Sequence, residues 1–213
     1  MVTWGVQPWG ESLAELTDAA RRAEMAGAEV AWVSELHRSA TVTAAAVLVA
    51  TDRIRVATGI TLAFVRSPLI LALEALDLDE LGSGRFVLGL GTGVKALNEN
   101  WHGVPFSAPA RRMRETVEAL RAIWDGLADG QDIAYNGEIV RVDIRGLRLP
   151  HAVERSRIPI VIAAVGPHML SLAGSHGDGW ISHDLCTPAY VATEVAPRVG
   201  PARGTEPGLT VSV

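Results

Sequence analysis

The segment Phe86 to Gly93, FVLGLGTG, constrains this chain more than any other. From Phe86 to Leu90 it is apolar or glycine with no alternation, the pattern of a strand covered on both faces. It then breaks into Gly91-Thr92-Gly93, where small residues let backbone amides approach a ligand with no Cβ in the way. A doubly buried strand ending in a glycine-rich turn suits an α/β protein, whose ligands sit at the C-terminal ends of parallel strands. An ordinary structural turn would use the same residues, so the rest of the chain has to decide.

The chain alternates between strand and helix patterns. Val2 to Gln7 reads as a short strand ended by Pro8-Trp9-Gly10. Ser12 with Glu15 has capping-box spacing, and Leu13, Leu16, Ala20, Ala23 and Ala26 give the following helix its apolar face. Val30 to Val33 is the second strand and runs into Ser34-Glu35-Leu36-His37. An Ala/Val helix spans Thr41 to Ala50, a third strand Ile54 to Thr58, and a loop Gly59 to Ser67. Pro68 opens a helix to about Leu81, and Gly82 to Arg85 leads back to Phe86. Beyond Gly93, a polar and aromatic connection over Lys95 to Pro109 precedes a helix from about Ala110 to Leu127. Asp132 to Ile144 reads as an inserted β-hairpin turning at Asn136-Gly137. Ile158 to Val165 is another doubly buried strand, and Gly166-Pro167 opens a helix. Trp180 to Ser182 is a strand, Pro188 to Val199 a helix, and Leu209 to Val213 the start of a final strand.

About seven βα-type strands allow an open doubly wound sheet or a (β/α)8 TIM barrel. The barrel is favoured, because the units run evenly and no Gly-x-Gly-x-x-Gly fingerprint follows the first strand. A barrel needs ~250 residues, whereas this sequence has 213 and reads as a single domain. Seven strands alone would leave open edges, so we expect a barrel truncated after about strand seven, or one completed by a partner chain. Net charge of -5 with no basic block argues against nucleic acid. One cysteine, Cys186, fits a reducing compartment. With no leader pattern and no apolar run near ~20 residues, the expected location is cytoplasmic, without membrane association. Zinc spacing, Gly-x-Ser-x-Gly and Walker loops are absent, and Lys95 is the only lysine, which disfavours a Schiff-base aldolase.

Several blocks together resemble the luciferase-like monooxygenase superfamily, and within it the branch that uses the deazaflavin F420. They are Val33-Ser34-Glu35, Ile54 to Ile60 (IRVATGI), Arg66-Ser67-Pro68, Gly84-Arg85-Phe86 with LGLGTG, Ile158 to Pro167 (IPIVIAAVGP), and Ala173-Gly174 with Gly177-Asp178-Gly179. The resemblance implies a (β/α)8 barrel, a flavin-type ring at its C-terminal mouth and a homodimer. It also implies hydride transfer between F420 and a small-molecule substrate. An FMN-dependent monooxygenase and a non-catalytic flavin-binding short member are the alternatives.

By the same resemblance, Gly59-Ile60 is the place of a non-proline cis peptide that props the central ring. Gly91, Thr92 and Gly93 would line the ribityl side. Val165, Gly166 and Pro167 would hold the phosphate region, where a helix N-terminus offers free N–H groups and a positive dipole end. Glu35 matches an acidic position near the reacting ring. Relatives often place a histidine directly after it, whereas here Leu36 intervenes before His37. His37, or His183 after the sixth strand, would move the proton with Glu35. Trp9 is expected to wall the substrate pocket, Trp32 and Trp180 to be core, and Trp101 and Trp124 to pack helices. Arg66 and Lys95 are basic residues near strand ends that a phosphate and polyglutamate tail could use.

Overall fold

The computed structural model describes residues 4–153, 155–183 and 186–200. The expected strand at Leu209 to Val213, and the first residues of the strand expected at Val2, lie outside them. The chain order is β1 (Gly5–Val6), α1 (Leu13–Met25), β2 (Val30–Val33), α2 (Ala40–Ala50), β3 (Arg55–Thr58), β4 (Thr61–Leu62), α3 (Pro68–Leu81) and β5 (Phe86–Gly91). A π-helical turn (Leu97–Trp101), α4 (Pro109–Ala128), a hairpin of β6 (Ile133–Asn136) and β7 (Arg141–Ile144), β8 (Ile160–Ala163), α5 (Pro167–His176) and β9 (Gly179–Ile181) follow. Helical residues Pro188 to Val199 close the described chain, with a π-turn at Val191–Val195.

Strands pair in parallel in the order β1-β2-β3-β5-β8-β9, and β4 adds to β5 at Thr61↔Leu90 and Leu62↔Gly91. This is a curled parallel sheet with helices outside, a partial (β/α) barrel of the kind favoured over an open doubly wound sheet. β5 is buried at every position, as the unbroken run FVLGLG implies. Alternation divides the strand side chains between two cores. Val33, Val56, Phe86, Leu88, Leu90, Ile160 and Ile162 face the helices. Val30, Trp32, Ala57, Val87, Val161 and Ile181 fill the concave side.

Local chemistry sets the element ends. Ser12 caps α1 by accepting from the Glu15 N–H (3.1 Å). Glu15 returns the bond to the N–H of Glu11 rather than Ser12 (2.9 Å), so the box closes one residue early. Ser67 caps α3 with Pro68 in its first turn. Ser83 and Gly84 take positive φ in the turn before β5.

Three expectations need correction. The loop over Gly59 to Ser67 contains β4, too short for a periodic signal and formed because β5 offers it a partner. The hairpin turns over residues 137–140, since Asn136 pairs with Arg141. Trp124 packs as expected, fully buried with its indole N–H on the Ala72 carbonyl (3.1 Å), but Trp101 is 66% exposed. Trp32 and Trp180 are core.

Away from the strands' C-terminal ends, Glu24 in the last turn of α1 accepts from the backbone N–H groups of Asp52 (3.1 Å), Arg53 (2.6 Å) and Ile54 (2.8 Å). Burial pushes this carboxyl up, but the N–H donors and the Arg53 charge outweigh it and hold the group below its ordinary 4.5. A lowered folded-state pKa stabilises the fold above the unfolded value and ceases to do so as pH falls through the folded one. A Glu24→Gln variant should therefore unfold at lower urea than the wild type at pH 7. The gap should close below pH 4.5, as urea midpoints measured at both pH values would show.

Candidate active site at the C-terminal ends of the strands

The turns after β2, β3, β5, β8 and β9 open on one end of the sheet, and the predicted catalytic and cofactor-binding residues lie on them or directly beside them, with Gly91 ending β5 and Pro167 opening α5. The Gly59–Ile60 peptide bond is cis. At this point β3 parts from β5, and Thr58 bridges the gap: its hydroxyl donates to the Gly89 carbonyl and accepts from the Gly89 N–H, both at 2.8 Å. Ile60 then lies over Gly91, where an added Cβ would come within 2.5 Å of the isoleucine Cδ1.

The Gly91–Gly93 turn is held from beneath. Asn98, fully buried in the π-helical turn, donates its amide to the carbonyls of Thr92 (2.8 Å) and Val94 (3.0 Å). Gly93 takes φ +64°, a region that favours glycine. The Thr92 hydroxyl donates to the Gly93 carbonyl at 2.9 Å.

Glu35 lies just past β2. Its Oε2 accepts from the Leu62 N–H (2.7 Å) and from Arg66 Nη1 (2.8 Å), while Oε1 accepts from Arg66 Nη2. Arg66 Nε lies 3.4 Å from Glu74 Oε2. Burial lowers the Arg66 pKa, but the two carboxylates outweigh it and raise the group. Burial pushes Glu74 up; Arg66 offsets this in part, whereas the charges of Glu35 and Asp77 reinforce it. Arg66 is thus engaged by two acids, which leaves its guanidinium little to offer an anionic tail. Lys95 is 69% exposed and lies 3.9 Å from Glu99.

His37 is exposed and shares a shallow hollow with Glu35, Arg38, Leu62, Trp101 and His102. Trp9 is 76% exposed. Across the sheet, Val165, Gly166 and Pro167 are exposed and Gly166 caps α5 without a side-chain acceptor. A Cβ built on Gly166 meets no atom within 4 Å. The turn is fixed from behind: the Trp180 indole donates to the Ala164 carbonyl (2.8 Å), and the Tyr190 hydroxyl donates to that of Val165. Burial pushes the Tyr190 phenol up, so it remains a donor. His183 is exposed after β9, which β3, β5 and β8 separate from β2. The structure therefore places His37 beside Glu35, and His183 on the Gly166 side of the mouth. Among the described residues no group of acidic, histidine or cysteine side chains is arranged to hold a metal. Among the described residues no helix is long and apolar enough to cross a membrane.

The sequence profile of the luciferase-like monooxygenases matches residues 3–211. The chain belongs to that family. Among the relatives of this luciferase-like chain is the 5,10-methylenetetrahydromethanopterin reductase of Archaeoglobus fulgidus. It is 34% identical over 167 residues, covering 78% of this chain and 48% of the relative. The structure of a coenzyme F420-dependent tetrahydromethanopterin reductase from Methanopyrus kandleri superposes with a TM-score of 0.76 at 26% identity, covering 93% of this chain and 60% of that one. The FMN-bound oxygenating constituent of 3,6-diketocamphane monooxygenase from Pseudomonas putida shares the fold at TM-score 0.68 and 18% identity, covering 84% and 57%. The luciferase-like chain spans about half the length of the curated relatives it matches.

Sequence reasoning missed Asn98, Tyr190 and the partnership of Arg66 with Glu35. Tyr190 and Arg66 act across loops far apart in the chain, and Asn98 reaches back within its own turn, all on carbonyls or carboxylates that carry no periodic signal.

Proposed function

We propose that this chain carries the cofactor-binding part of an F420-dependent oxidoreductase, one that passes a hydride between the deazaflavin and a small organic substrate. The observation that carries this reading is the likeness to proteins named as coenzyme F420-dependent, at 33% and 26% identity against 18% for the FMN-bound monooxygenase. The residues present fit such a group. The open position over Gly166, where a Cβ would stand, leaves room for a phosphate beside the unpaired N–H groups that begin α5. The Gly91–Gly93 turn would line the cofactor's side chain, with Ile60 as a wall beneath the ring. When bound, the deazaflavin supplies the hydride chemistry. His37, at the rim of the hollow with Trp101 and His102, would move the accompanying proton, and His183 is the second candidate. Exposed Val42 and Val49 on α2 and Ile70 on α3 support a homodimer.

Paired titrations with F420 and with FMN, read by tryptophan quenching, test the reading. F420 binding with FMN silent is the expected result. Preference for FMN would move the chain to the monooxygenase branch, and binding of neither by folded protein would overturn the enzyme reading. Gly166→Ala should leave stability within about 0.5 kcal/mol of wild type, because its new methyl meets nothing. It should weaken cofactor binding tenfold or more. Wild-type affinity in this variant would remove the phosphate from this turn.

A further inference from the structure

The position of Glu35 suggests an acid or base, yet its geometry points elsewhere. Both carboxylate oxygens accept from N–H donors, one from the backbone of Leu62 and two from the Arg66 fork. A proton on either oxygen would face one of these donors. The Arg66 fork is the strong bidentate arrangement that guanidinium and carboxylate planes favour.

What the carboxylate touches is informative. Leu62 belongs to β4, directly after Gly59–Ile60, and this segment leans on β5 through Thr61↔Leu90, Leu62↔Gly91 and the Ala63 N–H on the Gly91 carbonyl (3.0 Å). Ile60, held in that segment, covers Gly91. Arg66 stands where the loop enters α3, and its other edge reaches Glu74 on that helix. A little farther along the loop side, Arg112 of α4 donates to the Phe64 carbonyl (3.0 Å) and lies 4.5 Å over the Phe64 ring. Glu35 thus joins the end of β2 to the β3–α3 connection, which pairs with β5 through the two residues of β4 and the Ala63 N–H that follows them.

We propose that Glu35 is a positioning residue: through the Leu62 N–H and Arg66 it fixes the Gly59–Leu62 segment, and with it the Ile60 wall of the mouth. Arg66 is its working partner, and Glu74 orients Arg66. The proton-transfer group is then a different residue of the mouth. The consequence for cofactor binding rests on the function proposed above; the mechanical role does not.

Hydrogen exchange of the ligand-free protein separates the two. In Glu35→Gln, exchange at the Leu62 amide should rise at least tenfold, while the Leu88 and Leu90 amides within β5 keep wild-type protection. Arg66→Lys, which retains the charge and gives up the fork, should reproduce the effect more mildly and keeps the test open if Glu35→Gln fails to fold. Both variants should also weaken F420 or FMN binding in parallel, by tenfold or more for Glu35→Gln. Unchanged Leu62 exchange in both variants overturns the proposal. So does a Glu35→Gln variant that binds cofactor like wild type while Leu62 exchanges fast, because the segment would then not shape the mouth. If the wild type binds neither cofactor, the proposed function fails on that result alone, and the exchange data still decide the mechanical role.

Discussion

Gly89→Ala is expected to yield little or no soluble folded protein. A Cβ at this position would stand 1.7 Å from the Thr58 carbonyl oxygen, 2.8 Å from its carbon and 3.0 Å from Ile181 Cδ1. The first two are backbone atoms of β3, so no rotamer change can make room. Relief requires separating β3 from β5 in the middle of the sheet, which would also break both hydrogen bonds of the Thr58 bridge. Overpacking of a core commonly costs 1–3 kcal/mol when side chains can yield; here we expect a loss above about 3 kcal/mol, a large share of a typical domain's stability. Soluble yield and urea unfolding beside Gly166→Ala give the contrast, since one added methyl meets backbone and the other meets nothing. A Gly89→Ala midpoint near wild type would mean that β3 and β5 do not approach here as described.

Thr58→Val should be the second large effect. Valine keeps the shape and removes the hydroxyl, leaving the N–H and carbonyl of Gly89 without that partner in a fully buried position. An unpaired buried backbone group costs about 1–3 kcal/mol, so losing both partners should destabilise by roughly 2–4 kcal/mol. Equilibrium unfolding gives the total, and the exchange rate of the Gly89 amide localises it. A loss under about 0.5 kcal/mol would mean that the strand gap closes without the hydroxyl. The two variants probe one contact from opposite sides, so their effects should not add.

Much of the fold was legible in the residues. Runs such as FVLGLG and IPIVI can be covered on both faces only in a parallel sheet under helices, and β5 and β8 are buried accordingly. Ser67-Pro68 marked the start of α3, and Gly166-Pro167 that of α5, because caps and first-turn prolines are local chemistry. β4 was not legible: a strand of two residues exists only because Leu90 and Gly91 of another strand receive it. The exposure of Trp101 was missed for a related reason, since the same sequence pattern serves a packed helix and a short turn at a rim.

The candidate site divides in the same way. Sequence placed Gly59, Gly91 to Gly93 and Gly166 at strand ends, because close backbone approach needs glycine wherever it occurs. It also brought Glu35 and His37 to one loop. What Glu35 does there was decided by the tertiary structure, which turns Arg66 and the Leu62 N–H onto its carboxylate. Likewise, only the strand order shows that three strands, β3, β5 and β8, stand between His183 and β2. Hydrophobic pattern, caps and turn glycines are properties of neighbouring residues, and the sequence by itself determined them. Which donor meets which acceptor across loops some thirty residues apart depends on how the sheet curls and where each loop re-enters it, and that was settled only by the packed chain.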